Sequence, residues 1–304
     1  MFLKDNSDMR VILFGGNGQV GHAFQRCWPP SGEVDELVVS TRGDCDLADQ
    51  ESVRALLRRV RPDVIVNAAA YTAVDKAESD REMCFALNAA APAVMAAEAA
   101  ATGARLVHYS TDYVFDGSKM EGSQPVPYME TDPTGPRNVY GASKLAGERG
   151  IAEVGGSFVI LRTSWVYSNH GANFLKTMLR LGAERRELRV VADQHGAPTS
   201  AEAIAEATLR ILKQADAGNW TNGTFHMTAA GATTWYGFAK AIFARAAGPT
   251  PSLAAIGTAD YPTPAARPAN SILANEKFAH TFGFRLPDWE QQLDAVMNAG
   301  AIAG

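Results

Sequence analysis

A tyrosine and a lysine stand four residues apart in Tyr140-Gly-Ala-Ser-Lys144. On an α-helix, positions i and i+4 share a face, so this spacing sets a phenol beside an ammonium. A free tyrosine has a pKa of about 10 and is a poor acid or base near neutrality. A neighbouring cation favours the phenolate and lowers that value, which would let the pair pass a proton to or from a substrate oxygen. An ordinary exposed helix pair has the same spacing. The weight of Tyr140 and Lys144 therefore depends on the elements around them.

The first of these is the apolar run at residues 10–14, which leads into Gly15-Gly-Asn-Gly18-Gln-Val-Gly21. It reads as a buried strand, a glycine-rich turn and a helix. Glycines at 15, 18 and 21 allow a tight turn and let a pyrophosphate approach the helix N-terminus, where free N–H groups favour negative charge. The spacing departs from the G-x-G-x-x-G fingerprint, but strand, turn and helix stand in the order a dinucleotide needs. Residues 36–40 form a second strand. Ser40, Thr41 and Arg42 occupy the place where an acidic residue would select a free ribose 2′-hydroxyl, and this tilts the cofactor toward NADPH over NADH. Asp44 and Asp46 follow closely and make the tilt modest. Asp46 and Leu47 either flank an adenine or cap the helix over residues 50–60.

Residues 62–70 read as a third strand, ending in Ala68, Ala69 and Ala70, small enough to admit a flat ligand; Tyr71 opens the next loop. A helical pattern over 79–102 contains Asn88, either a hydrogen-bonding residue behind the site or a solvated side chain. A fourth strand, 104–111, delivers Ser110 and Thr111 to the same edge, followed by Asp112. Alternating strands and helices place the chain in the α/β class, as a Rossmann-like doubly wound parallel sheet. Right-handed crossovers put the glycine loop, the strand ends and the Tyr140 helix (residues 140–149) on one rim. Residues 118–137 contain Pro125, Pro127, Pro133 and Pro136 and read as a functional flap, being longer than a connector requires. Beyond residue 167 the alternation becomes irregular. The expected division is a dinucleotide-binding part over 9–167 and a smaller substrate-binding part over 168–304, with no sharp border and with C-terminal segments free to return to the sheet. Arg267 lies in the proline-stiffened segment 261–271, either as an anion ligand or as a solvated loop arginine.

Composition narrows the functions. A chain of 304 residues with net charge −5 offers no basic surface for nucleic acid. Its three cysteines lack C-x-x-C spacing, which points to a reducing compartment, read as the cytoplasm. Residues 1–8 lack the pattern of a signal peptide, and no apolar run reaches the ~20 residues of a membrane span.

The combination resembles the extended short-chain dehydrogenases/reductases, and within them the dTDP-4-dehydrorhamnose reductases. The blocks that carry the likeness are residues 15–21, 61–70, 72–78, 108–115, 138–148, 162–167, 193–199 and 261–271. The resemblance implies NAD(P)H-dependent reduction of the 4-keto group of dTDP-4-dehydro-L-rhamnose to dTDP-L-rhamnose. It implies Tyr140 as the proton donor, Lys144 as its electrostatic partner and cofactor ribose ligand, and Thr111 as the hydroxyl near the carbonyl. Gly18, Gln19 and Val20 would line the pyrophosphate, with Ala69, Ala70, Tyr71 and Tyr109 beside the cofactor. Asp112 and Trp165 would contact the sugar nucleotide, with Arg267 as the candidate for its diphosphate. Some relatives form a homodimer through a magnesium site that uses an acidic residue just after the glycine loop. Here Gly21-His22-Ala23-Phe24 stands there, so Mg²⁺ is implied by resemblance alone and no metal ligand is assigned. A related sugar-nucleotide epimerase or reductase, and a non-enzymatic regulatory subunit that keeps the cofactor fold, stand as alternatives. The complete Thr111, Tyr140 and Lys144 set favours the enzyme.

Overall fold

The structure is a computed structural model that describes residues 9–28, 36–248 and 250–301, leaving the eight-residue head outside the described residues. Six parallel strands form the central sheet: β1 (Arg10–Phe14), β2 (Glu36–Ser40), β3 (Val64–Asn67), β4 (Arg105–Thr111), β5 (Ser157–Thr163) and β6 (Gly223–His226). Their spatial order is β6-β5-β4-β3-β1-β2. The strands read as nearly continuous apolar runs because both faces of the sheet are covered. Val11, Leu13, Val66 and Leu161 face one core, with Phe24, Ile204 and Phe225. Ile12, Phe14, Ile65 and Ile160 face the other, with Leu56, Met95 and Ile151. Each such aliphatic side chain, fully buried, contributes roughly 1.5–3 kcal/mol. A third core, around Tyr167, Leu175, Phe238, Ile242 and Leu293, belongs to the C-terminal part. That part also supplies β6, paired with β5 through Gly223–His226, so the chain returns to the sheet it had left.

The order of strands reverses between β1 and β3, since the chain goes from β1 outward to β2 before crossing back. A crevice opens at such a switch point, beyond the carboxyl ends of the strands. Gly15 lies there at φ +83°, and a Cβ on it would sit 2.6 Å from the Ala69 nitrogen. Only glycine fits this crossing, for steric reasons and for its dihedral alike.

Several elements differ from the sequence reading. The strand over 62–70 contracts to Val64–Asn67, and the Tyr140 helix extends to Val139–Val154. Asp49, not Asp46, caps the helix Gln50–Val60 by accepting from the Glu51 N–H. The helical segment Arg81–Thr102 is long and apolar enough to cross a membrane by length and composition alone, yet half of it is buried inside the protein. It contains a π-helical turn, Ala86–Ala90. Residues 118–137 are fastened rather than free. Met120–Glu121 pairs with Gln124–Pro125, Tyr128 stacks on Phe115 at 4.3 Å, and the Tyr128 N–H donates to the Ile272 carbonyl.

Candidate active site

Three side chains of the rim come from two elements. Thr111 ends β4, while Tyr140 and Lys144 lie on the first turns of the helix Val139–Val154. Asn138 starts that helix: its Oδ1 accepts from the Gly141 N–H at 2.8 Å, and its Nδ2 donates to the Ala266 carbonyl at 2.8 Å. Gly141 lets the helix lie against the preceding loop, since a Cβ there would fall 2.2 Å from the Tyr113 carbonyl oxygen. Thr111 lies within hydrogen-bonding reach of the Tyr140 phenol. The Tyr113 ring meets the Tyr140 ring edge-on at 5.8 Å.

Burial, the largest influence on Tyr140, pushes its phenol above the ordinary tyrosine range, with the Thr111 hydroxyl pulling the other way. Lys144 is 2% exposed, and burial lowers its ammonium to about 8. The expectation that Lys144 brings Tyr140 toward neutrality thus differs from the structure, where desolvation is the largest influence on both groups. Lys144 Nζ donates to the Tyr109 carbonyl at 2.6 Å and meets His108 Nε2 at 3.2 Å. The Tyr109 phenol turns into the core, bonded to Thr208 at 2.7 Å, so this residue meets the site through its main chain.

Asn88 is fully buried, not solvated. Its side chain accepts from the Tyr71 N–H at 2.8 Å and donates to the Tyr71 carbonyl at 3.1 Å and to Ser143 Oγ at 3.0 Å. It thereby fixes the segment carrying Ala69, Ala70 and Tyr71 against the Tyr140 helix. The Tyr71 phenol donates to Asp80 at 2.9 Å. Behind Lys144, Glu148 receives both the Nε and a terminal nitrogen of Arg162, at 2.9 and 2.7 Å, and the Ser110 hydroxyl.

At the glycine loop the backbone turns as tightly as dinucleotide-binding turns require. A Cβ at Gly21 would lie 2.2 Å from the Gly15 carbonyl oxygen and one at Gly16 would lie 2.3 Å from Val39 Cγ1, so these two positions leave no room for a side chain. Ser40 accepts the Gly15 and Gly16 N–H groups through its carbonyl, while its buried hydroxyl has no partner among the described residues. Arg42 is exposed next to it. Asp44 is held by Thr41, whose N–H and hydroxyl both donate to it, at 2.8 and 2.7 Å; Asp46 accepts from Ala48, with Leu47 half-buried beside it. Gln19 starts the helix Gln19–Cys27 next to Val20, and its side chain bonds Val166, Ser168 and Asn173.

On the opposite side, Asp112 is 3% exposed, and burial raises its carboxyl to about 6. One oxygen accepts from Thr111 at 2.9 Å, the other makes no close hydrogen bond within the described residues, and the nearby Ser271 hydroxyl favours the charged form. Trp165 adopts φ +49° and stacks on Trp235 at 3.6 Å, with Gly196 leaving room for its indole. Arg267 is not a solvated arginine. Its fork grips Asp75 at 2.6 and 2.8 Å, so a phosphate would meet a guanidinium already partnered.

A magnesium ion fits the residues present poorly. His22 stands where the resemblance puts a carboxylate, and its ring stacks on His170 at 4.0 Å. Among the described residues no group of three or more His, Cys, Asp or Glu could hold a metal. Mg²⁺ takes oxygen ligands, so no step is routed through it.

Sequence reasoning singled out Thr111, Tyr140 and Lys144, and the structure brings them together. It passed over His108, Asn67 and Trp235. A polar residue in an otherwise apolar strand was the only signal for the first two.

Residues 9–302 match the family model described as the RmlD substrate binding domain. The chain is similar to the dTDP-4-dehydrorhamnose reductase of Burkholderia thailandensis, 48% identical over 92% of this chain and 95% of that protein. It is also similar to the Escherichia coli K12 protein of the same name, 46% identical over 95% of this chain and 97% of that one. Among solved structures, dTDP-4-dehydrorhamnose reductase from Bacillus anthracis in complex with NADP superposes with a TM-score of 0.88 at 36% identity, covering 96% of this chain and 99% of that chain.

Proposed function

The chain belongs to the family of the RmlD substrate binding domain, and from that membership we propose that it is an NAD(P)H-dependent dTDP-4-dehydrorhamnose reductase. It reduces the 4-keto group of dTDP-4-dehydro-L-rhamnose to give dTDP-L-rhamnose, the last step in making that sugar nucleotide. The observation that carries this reading is the set of buried Thr111, half-buried Tyr140 and buried Lys144 beside a crevice closed to side chains at Gly15, Gly16 and Gly21.

When bound, the nicotinamide supplies the hydride to the carbonyl carbon. Tyr140 gives its proton to the carbonyl oxygen, and Thr111 donates to the charge developing there. A phenol held above its usual range by burial stays protonated through neutrality, as a donor requires. Lys144, as the ammonium, stabilises the phenolate left behind and holds the cofactor ribose. Asp112 offers its unpartnered oxygen to a sugar hydroxyl, Trp165 contacts the sugar nucleotide, and Arg267 with Asp75 closes the cleft near the diphosphate. The unpartnered Ser40 hydroxyl and exposed Arg42 favour the 2′-phosphate of NADPH.

One assay tests this reading. Purified protein, dTDP-4-dehydro-L-rhamnose made in place by the preceding enzymes, and NADPH or NADH should together give dTDP-L-rhamnose with loss of nicotinamide absorbance, faster with NADPH. Absence of the product with both cofactors would refute it.

A further inference from the structure

His108 is fully buried in the middle of the site and has no role in the reaction described above. Its two ring nitrogens meet two groups that usually donate, Asn67 Nδ2 at 3.0 Å and Lys144 Nζ at 3.2 Å. A neutral imidazole has one donor and one acceptor, so the two contacts must be of opposite kind. The Ala69 N–H settles which is which. It donates to Asn67 Oδ1 at 3.2 Å, which turns the Asn67 amide nitrogen toward the imidazole. Asn67 and His108 are also direct register partners on β3 and β4, so the sheet fixes their approach. Nδ1 is therefore the acceptor and the ring proton sits on Nε2, facing Lys144. An ammonium has three donors and no lone pair. A lysine that receives this N–H is the neutral amine, with one of its own protons on the Tyr109 carbonyl at 2.6 Å.

We propose that His108 is a positioning residue: held by Asn67 as the Nε2–H tautomer, it donates to the amine of Lys144 and sets the pH above which the site has lost its proton. The inference rests on the role given to Lys144 above. The other groups facing Lys144 act differently. Glu148, one turn further along the same helix, favours the ammonium, but its oxygens are held by Arg162 and Ser110. The Cys84 thiol comes from the neighbouring helix, with its hydrogen-bonding capacity engaged by Ser143 and Asn88. Tyr140 lies on the same helix and stays a neutral phenol. Burial works in the same direction as His108, bringing Lys144 to about 8 and keeping the imidazole itself uncharged.

Two measurements test the inference. Long-range proton–nitrogen NMR of ¹⁵N-labelled protein without ligands, at mildly alkaline pH, should show one imidazole protonated on Nε2 and absent from His108→Leu. A proton on Nδ1, or on both nitrogens, would overturn the proposal. In His108→Leu the alkaline limb of kcat/KM for the sugar nucleotide should move up by about one pH unit, a tenfold change in proton concentration. A variant that loses rate evenly at every pH would show His108 to be packing only. The NMR reading uses no substrate, so it stands or falls separately from the reductase assignment; if His108→Leu does not fold, the signal is assigned by its loss in the more conservative His108→Gln.

Discussion

As the proposed proton donor, Tyr140 would act in a place where desolvation opposes its ionisation. That suits reduction, because the donor begins protonated and must be helped only after it has given its proton. Tyr140→Phe removes the hydroxyl and little else. We expect kcat to fall ~10²–10⁴-fold with cofactor affinity retained, measured by stopped-flow turnover and fluorescence titration. A near-normal rate would dismiss Tyr140 as donor. Asp112 is also shifted against ionisation, its carboxyl raised to about 6 by burial. Below both pKa values it is protonated folded or unfolded and costs nothing. Between about pH 4 and 6 the unfolded chain ionises first, so stability is lost as pH rises, to a total on the order of 3 kcal/mol. Asp112→Asn should therefore raise the melting temperature above pH 6, lose that advantage below about pH 4, and raise KM for the sugar nucleotide. Equal melting curves at neutral pH would mean that the free carboxylate oxygen carries no strain. The types and spacing of Thr111, Tyr140 and Lys144 made them legible from sequence. His108 and Asn67 were not, since their partnership exists only once β3 and β4 are set in register.

The helix Val139–Val154 reaches its neighbours through missing side chains. A Cβ at Gly147 would fall 2.1 Å from the Asn88 carbonyl oxygen, in the π-helical turn that also fixes Tyr71. Gly147→Ala should push the two helices apart and destabilise the protein by ~1–3 kcal/mol, read as a lower denaturation midpoint. An unchanged midpoint would show that the helices yield freely. Strands were easily read because a sheet covered on both faces needs unbroken apolar runs, and β1 and β2 have the bounds expected from sequence. The π turn left no such mark. The segment Ala91–Thr102 is nearly all alanine and other small or apolar residues, with its buried residues on several sides and no single apolar stripe to show its phase. The Asp46 cap failed for a local reason: Asp49 stands one residue before the helix and takes the exposed N–H group.

At the scale of the whole molecule, the two halves of the chain are tied at several places, three of which bear on the site. β6 joins the sheet, Gln19 bonds the 166–173 segment, and Asp75 holds Arg267 across the cleft. Only the return of C-terminal segments to the sheet was open to a sequence reading, because the irregular alternation there signals a changed architecture without saying where the chain goes. The Asp75 pairing joins residues far apart in the chain and leaves no periodic trace. Breaking it with Arg267→Ala should raise KM for the sugar nucleotide roughly ten- to hundredfold, the size of a charged hydrogen bond, and leave cofactor affinity unchanged. An unaltered KM would confine Arg267 to holding the Tyr71 loop.

Trp165 and Trp235 lie almost parallel, 7° apart, with centroids 3.6 Å from one another. Two indoles this close share their electronic excitation, so the pair should give a distinctive near-ultraviolet circular dichroism band and weak emission. A thymine nucleotide contacting Trp165 would disturb that coupling. With Trp165 at the nucleotide as proposed, the protein would carry its own optical gauge of occupancy, readable with dTDP alone, before any chemistry takes place and without a label.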